Sequence, residues 1–242
     1  MTDSIKIISK EEFLKKNSKL NQEEVWDEIS DLWSEYRKEP FDAVSDFLRK
    51  ASSDFDKSEN SKIAKEIKVI DLGCGSGRNM IKDNNIEYYG VDFSSCQLGC
   101  AIANTKEKGI NAKFFKMSAD KLSKKDFKNE MFDYGLFIAT LHCIEGKKER
   151  ENALKEFYRV LKKSGEGLIS VWNSNDSRFN SVKSDIYMSW KKDGKEYYRY
   201  YYLYDKDELI DLIKSVGFKV LEIYDKDSDR FSKKNWIIKV GK

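Results

Sequence analysis

The 242-residue sequence is poor in the residues that build metal and disulfide frameworks: it has one histidine and four cysteines. Cys74, Cys96, Cys100 and Cys143 read as reduced thiols of a cytosolic protein. Cys96 and Cys100 are helix neighbours four apart, but no second ligand pair or partner histidine sits nearby, so no metal is expected. Long apolar runs are missing too, and nothing approaches the roughly 20 residues of a membrane span. The N-terminus "MTDSIKIISKEEF" lacks the apolar core of a signal peptide. These absences predict a cytoplasmic chain with no membrane partner. A strong charge of one sign is also absent. The net charge of +3 is too small to announce a nucleic-acid protein, so any basic surface must come from local clustering.

What is present is a globular composition, 40% hydrophobic and 36% charged, with no repeat and no long linker. The length suits one α/β domain with additions. Residues 21–37 place Val25, Trp26, Ile29, Leu32, Trp33 and Tyr36 on one helical face. Pro40, the single proline, falls where a second helix begins, and "SSDFDKSENSK" (52–62) reads as a loop. Strands are predicted at 67–73, 87–92, 112–117, 132–139 and 167–172, separated by helical stretches such as "SCQLGCAIANTKEKG" and "KERENALKEFYRVLKK". That alternation implies a doubly wound, mostly parallel α/β sheet. Asp205 and Glu208 form a capping-box pattern, and "FKVLEIYD" and "NWIIKV" read as two closing strands in an antiparallel hairpin. The expected organisation is a single domain: a helical cap (1–62), a core (63–174), an insertion (175–204), and a last helix with closing strands (205–242).

The chemistry begins at "VIDLGCGSGRNM" (69–80). Asp71 ends a strand, and Gly73, Gly75 and Gly77 bare the backbone of the turn that follows, which lets a nucleotide-like ligand approach. Asp92 ends the next strand, where an acid can grip a ribose diol. A dinucleotide fingerprint would want glycine where Arg78 stands. "DLGCGSG" with the following "GVDFS" resembles motif I and the acidic loop of class I S-adenosylmethionine-dependent methyltransferases, which implies a Rossmann-like, seven-stranded fold. The resemblance implies that Asp92 binds the ribose hydroxyls, that Phe93 lies against the adenine, and that Gly73, Gly75 and Gly77 make room for the adenosyl and methionine portions. Asp71, Cys74 and Ile138 fall in the same cofactor-binding set. Ser118 stands where the family commonly has an acid, and the Ala119 backbone could still serve the adenine. Each glycine taken alone could be a plain turn.

Outside that core, Val171-Trp172, Arg199-Tyr200-Tyr201-Tyr202 and Asn235-Trp236 resemble the tRNA wobble-uridine methyltransferases that esterify 5-carboxymethyluridine. That family includes the fungal enzyme and the methyltransferase domain of an animal AlkB homologue. The opening helix is similar as well, and the family's arginine before lysine and proline falls on Arg37. The resemblance runs from about Val25 to the end. His142-Cys143 and Tyr202 depart from it, since the family has histidine at Cys143 and Tyr202.

A carboxymethyl group is ionised near neutrality, so its methylation needs orientation and no general base. A guanidinium fork suits that task, and Arg37 and Arg199 are the candidates. Trp172 and Tyr200 are candidates to stack on the uracil, and His142 is a candidate substrate contact. Surface ion pairs for the arginines, a half-buried strand for the tyrosines and a backbone-bonded loop for His142 stay open as alternatives. Lysines 15, 16 and 19, and Lys191, Lys192 and Lys195 with Arg199, form two modest basic patches. The resemblance further implies the tRNA anticodon loop as substrate and a small zinc-binding activator protein as a heterodimer partner. A small-molecule methyltransferase, with the tyrosine-rich insertion as a lid, and a cofactor-binding scaffold without transfer activity are the two alternatives.

Overall fold

The computed structural model describes residues 6–16, 21–35, 38–57, 66–179, 184–224 and 234–242. Its main element is a seven-stranded sheet. The strands are β2 (Ile67–Leu72), β3 (Ile86–Asp92), β4 (Ala112–Lys116), β5 (Phe132–Ile138), β6 (Leu161–Trp172), β9 (Lys219–Ile223) and β10 (Asn235–Gly241). Their order is β4-β3-β2-β5-β6-β10-β9, parallel through β6 and antiparallel at β10 and β9. The expected α/β class and the closing hairpin are therefore both present. Central strands of such a sheet are covered on both faces, so they read as nearly continuous apolar runs. β3 is buried at every position and β2 at all but Lys68.

Helices α4 (Asp42–Lys57) and α5 (Ser95–Lys108) cover one face, where Val44, Phe47, Leu48 and Leu98 meet Val69, Leu136 and Ile237. Helices α6 (Lys147–Val160) and α7 (Lys206–Ser215) cover the other, where Leu154, Phe157, Leu209 and Ile213 meet Ile70, Phe137 and Ile169. α5 starts at Ser94, whose hydroxyl accepts from Gln97 N at 3.1 Å, and stops at Gly109 in the left-handed region.

A second, three-stranded antiparallel sheet caps the first. It joins β1 (Ile7–Ser9) to the hairpin of β7 (Ser184–Lys192) and β8 (Lys195–Leu203). Helices α1 (Lys10–Lys16), α2 (Gln22–Glu28) and α3 (Ser30–Glu35) complete the cap. The Gln22 amide clips α2 to β8 by donating to Tyr198 O at 3.2 Å and accepting from Tyr200 N at 2.9 Å. Asp27 ties α2 to the core by accepting from Ser94 Oγ and Cys96 N, and Glu23 pairs with Lys116 at 2.8 Å.

Several local expectations change. The helix expected over 21–37 breaks at Ile29, where the Ser30 hydroxyl donates to Asp27 O at 2.8 Å and competes with the regular ladder. The loop expected over 52–62 is helical in its first half, because α4 runs through Lys57 and keeps Ala51, Ser52 and Phe55 against the core, and residues 58–62 lie outside the described residues. The capping box on α7 does not form. Asp205 accepts from Ser174 Oγ at 3.0 Å and Glu208 from Tyr202 OH at 2.6 Å, so both acids are spent holding the cap hairpin's exit.

Gly135 lets β5 pass beneath Phe157: a Cβ there would lie 2.5 Å from the ring, which is fully buried in the core. Gly135→Ala is therefore expected to lower stability by about 1–3 kcal/mol through overpacking. Urea unfolding checks this, and a midpoint equal to wild type would show that the ring yields without cost.

Candidate functional site

A cavity of about 610 Å³ lies between the carboxyl ends of β2, β3, β5 and β6 and the underside of the cap. The turn after β2 supplies its floor. Gly73, Gly75 and Gly77 have φ of 76°, 53° and 72°, a region that side-chain-bearing residues rarely adopt. Gly73 and Gly75 line the cavity, and space above Gly75 is open until the Gln97 amide at 3.6 Å. Gly77 faces away: a Cβ there would meet Ala101 of α5 at 3.3 Å, so its bareness serves helix packing rather than a ligand. Arg78 takes the place in the wall, with its guanidinium 3.8 Å from the centre of the Phe41 ring.

Asp92 accepts from Gly75 N at 2.8 Å through Oδ2 and from Ser94 N at 2.9 Å through Oδ1. It thereby joins the glycine turn to the start of α5 and keeps lone pairs toward the cavity, which it lines beside Phe93. Burial pushes its carboxyl up to about 6 against the pull of those backbone bonds. Asp71 lies deeper. It is outside the cavity wall, neither oxygen has a hydrogen-bond partner, and burial with the nearby Asp92 charge pushes it up to about 7. Cys74 is in the wall, and burial pushes its thiol well up.

Ile138, Ala139 and Thr140 form the opposite wall. Ala139 sits at φ 53°, and its N–H is held by both the carbonyl and the hydroxyl of Ser170, each at 3.0 Å. Thr140 Oγ1 donates to Gly73 O at 3.1 Å and so fastens this wall to the glycine turn. Ser118 and Ala119 are outside the wall: Ser118 is exposed and donates to Asp120.

The cap side is aromatic. Trp26, Trp33, Trp172, Trp190 and Tyr201 line the cavity with His142. Trp172 stacks on Tyr201 at 4.1 Å, and His142 lies 5.1 Å from Trp172 and 5.6 Å from Tyr201. His142 is 1% exposed, and burial with the Arg178 charge pushes it down to about 3, so it is neutral at working pH. Tyr200 does not face this cavity. Neighbours on a strand point to opposite faces, so Arg199 and Tyr201 share one face of β8, while Tyr198, Tyr200 and Tyr202 share the other. Tyr200 OH instead bonds Asp185 and accepts from Arg150 at 3.1 Å. The strand neighbour that lines the cavity is Tyr201.

Arg199 is 2% exposed behind that aromatic wall. Its guanidinium lies 5.9, 4.9, 5.0 and 5.4 Å from the rings of Trp26, Trp33, Trp190 and Tyr201. Among the described residues no carboxylate pairs with it, and its Nε has no hydrogen-bond partner. Arg37 lies outside the described residues. The expected basic patches are partly spent, although Lys191 and Lys195 stay exposed. Lys192 is bound to Asp31 and Glu28 O, Lys15 pairs with Glu11, Arg199 is buried, and Lys19 with the side chain of Lys16 lies outside the described residues.

Sequence reasoning missed Gln97, Asn79, Thr140 and Trp190, all in the wall. Gln97 is buried with both amide atoms unpartnered, one helical turn beyond Asp92. A turn of bare backbone, an acid gripping it from the next strand and an unpartnered amide above it fit an adenosyl ligand.

The family model described as a methyltransferase domain matches residues 63–217, and the chain belongs to that family. Among relatives, the chain is 26% identical over 231 residues to a tRNA (carboxymethyluridine(34)-5-O)-methyltransferase of Schizosaccharomyces pombe, covering 85% of this chain and 92% of the relative. It is 30% identical over 163 residues to a protein of Encephalitozoon cuniculi named as a methyltransferase by assignment, covering 64% and 71%. Among solved structures, the CcbJ methyltransferase from Streptomyces caelestis superposes with a TM-score of 0.66 at 16% identity, covering 92% of this chain and 99% of that one, a likeness that bears on fold alone. No helix among the described residues is long and apolar enough to cross a membrane.

Asp71 titrates higher in the folded chain (about 7) than in the unfolded one (3.8), so the native state binds more protons between those values. Its burial therefore costs little near pH ~4 and progressively more as pH rises through ~7. Without donor, Asp71→Asn is expected to be about 1–3 kcal/mol more stable than wild type at pH ~8 and equal to it near pH ~4. Thermal melts across that range decide it, and a variant less stable at high pH would show that the ionised form is favoured.

Proposed function

We propose that this chain is an S-adenosylmethionine-dependent tRNA methyltransferase that esterifies the carboxylate of 5-carboxymethyluridine at the wobble position. The observation that carries the reading is Arg199: a buried guanidinium without a carboxylate partner among the described residues, enclosed by four rings that all wall the donor cavity. A buried unpaired charge costs several kcal/mol. An anionic acceptor entering the cavity offsets that cost, whereas a neutral one does not. Arg199 stands behind the rings, so it acts through its field, which reaches several ångströms in a low-dielectric site. Trp172 and Tyr201 supply flat faces for the base. The name of the Schizosaccharomyces pombe relative, which this chain matches over most of both lengths, supports the same acceptor.

S-adenosylmethionine supplies an electrophilic methyl group. Asp92, Phe93, Gln97 and the bare turn at Gly73 and Gly75 are assigned to hold the donor. The acceptor carboxylate is already ionised, so no proton needs to move. A neutral His142 adds no positive charge to compete with Arg199, and the aromatic wall excludes water from the nucleophile. We extend the reading to a small zinc-binding activator protein as partner. β4 is the outer strand of the sheet, and Ile102 on the adjacent α5 is a large apolar residue left 53% exposed. A one-to-one complex on co-expression is expected, and full activity of the isolated chain that the activator leaves unchanged would count against it.

Arg199→Ala is expected to cut methyl transfer about 100-fold while changing donor affinity less than about threefold. Arg199→Lys should rescue little, because an ammonium loses the planar stacking on the rings and sheds its proton when desolvated. Methyl incorporation into tRNA carrying 5-carboxymethyluridine, with activator present, checks both variants. Wild-type rates from Arg199→Ala would remove Arg199 from the reaction.

A further inference from the structure

Beyond the carboxylate, a nucleotide in RNA carries phosphodiesters, and the cavity's rim holds a cation that the transfer chemistry leaves unused. Arg178 lines the cavity beside His142 and Trp172. Its guanidinium sits 5.1 Å from the Trp172 ring centre and 4.9 Å from that of Phe179. Asp176 fixes it from one side, accepting Arg178 Nε and Arg178 N, each at 2.9 Å and both through Oδ1. The Asp176 side chain is nearly buried, whereas that of Arg178 is 34% exposed. The Nε of the guanidinium is thus spent on Asp176, two rings pack near its centre, and a third of the side chain stays open to solvent.

A second cation stands by. Lys234 lines the same cavity, and its carbonyl accepts Asn173 N at 2.9 Å, which pins it to the end of β6. Burial works against the Asp176 charge, but the Arg178 bonds and the Arg178 and Lys234 charges together hold its carboxyl below the usual range. Among the described residues, Arg178, Lys234 and Asp176 together carry one net positive charge here. A guanidinium whose fork is pre-set by a carboxylate and by stacking loses little freedom on binding a planar or tetrahedral oxyanion. Arg199 is buried behind the wall, whereas Arg178 lines the cavity and is partly exposed, so a ligand with two separated anionic groups suits both.

We propose that Arg178, held by Asp176 and assisted by Lys234, is a phosphodiester subsite that seats the RNA backbone beside the nucleotide being methylated. It rests on the tRNA reading given above, and it separates an RNA acceptor from a free small carboxylate, which has no backbone to place there.

The test uses the full chain with its activator and an anticodon stem-loop RNA. Anisotropy gives the dissociation constant as a function of potassium chloride, and methyl transfer to free 5-carboxymethyluridine nucleoside gives the chemistry without a backbone. Arg178→Gln is expected to weaken RNA binding about fivefold and to lower the slope of log affinity against log salt by about one. Its fall in rate on the nucleoside should be smaller than its fall on the stem-loop, and equal falls on the two would count against a backbone contact. Lys219→Gln, an exposed cation change at the far end of the sheet, should leave the slope nearly unchanged.

Asp176→Asn is the sharper variant. Removal of a negative charge strengthens RNA binding if only net charge matters. A subsite that needs Asp176 to aim Arg178 predicts weaker binding instead, by about two- to fivefold. Tighter or unchanged binding by Asp176→Asn, or an Arg178→Gln slope equal to that of Lys219→Gln, overturns the subsite and leaves the tRNA reading standing. Wild-type RNA binding without salt dependence overturns both.

Discussion

The cap is organised around one buried positive charge. Among the described residues Arg199 has four aromatic neighbours and no carboxylate, and those neighbours come from α2, α3, β7 and β8. Each ring contributes cation–π attraction of about 0.5–2 kcal/mol, so the cap elements are held to a common centre. The same rings close the donor cavity from above. One arrangement therefore fixes the cap's packing and places a buried positive charge behind the cavity wall.

The core supplies the complementary half. Asp92 bonds Gly75 N and Ser94 N, Ser94 bonds Asp27, and Asp27 belongs to the cap. A short chain of hydrogen bonds thus runs from the glycine turn into α2. On the other wall, Ser170 holds Ala139 and Thr140 holds Gly73. Trp172 lies two residues beyond Ser170 on the same face of β6, so the aromatic wall and the glycine turn share one rigid frame.

Most of the core was legible in the sequence because its signals are local and periodic. The apolar runs of β2 and β5, the glycines after β2 and the acid ending β3 each declare themselves within a few residues. The cap was less legible. β1 is three residues long and pairs with residues 186–188, a contact that no local pattern encodes. The capping box failed because Ser174 and Tyr202 recruited both acids. Strand alternation puts Tyr201 on the cavity side with Arg199 and Tyr200 in the opposite core, a parity that the run of three tyrosines does not itself declare. Gln97, Asn79 and Trp190 carry no motif. Their part in the cavity follows from the fold alone, as does the burial of Arg199, which the sequence presents as one more member of a basic run.

The central claim is that the acceptor is a carboxylate on a tRNA wobble uridine. Nucleoside mass spectrometry tests it most directly, after incubating wild-type protein and activator with labelled S-adenosylmethionine on two tRNAs, one bearing 5-carboxymethyluridine and one with plain uridine there. The account predicts one added methyl on the carboxymethyl nucleoside alone, removed by mild alkali as an ester must be. A methyl that survives alkali, or equal incorporation into both tRNAs, would contradict it.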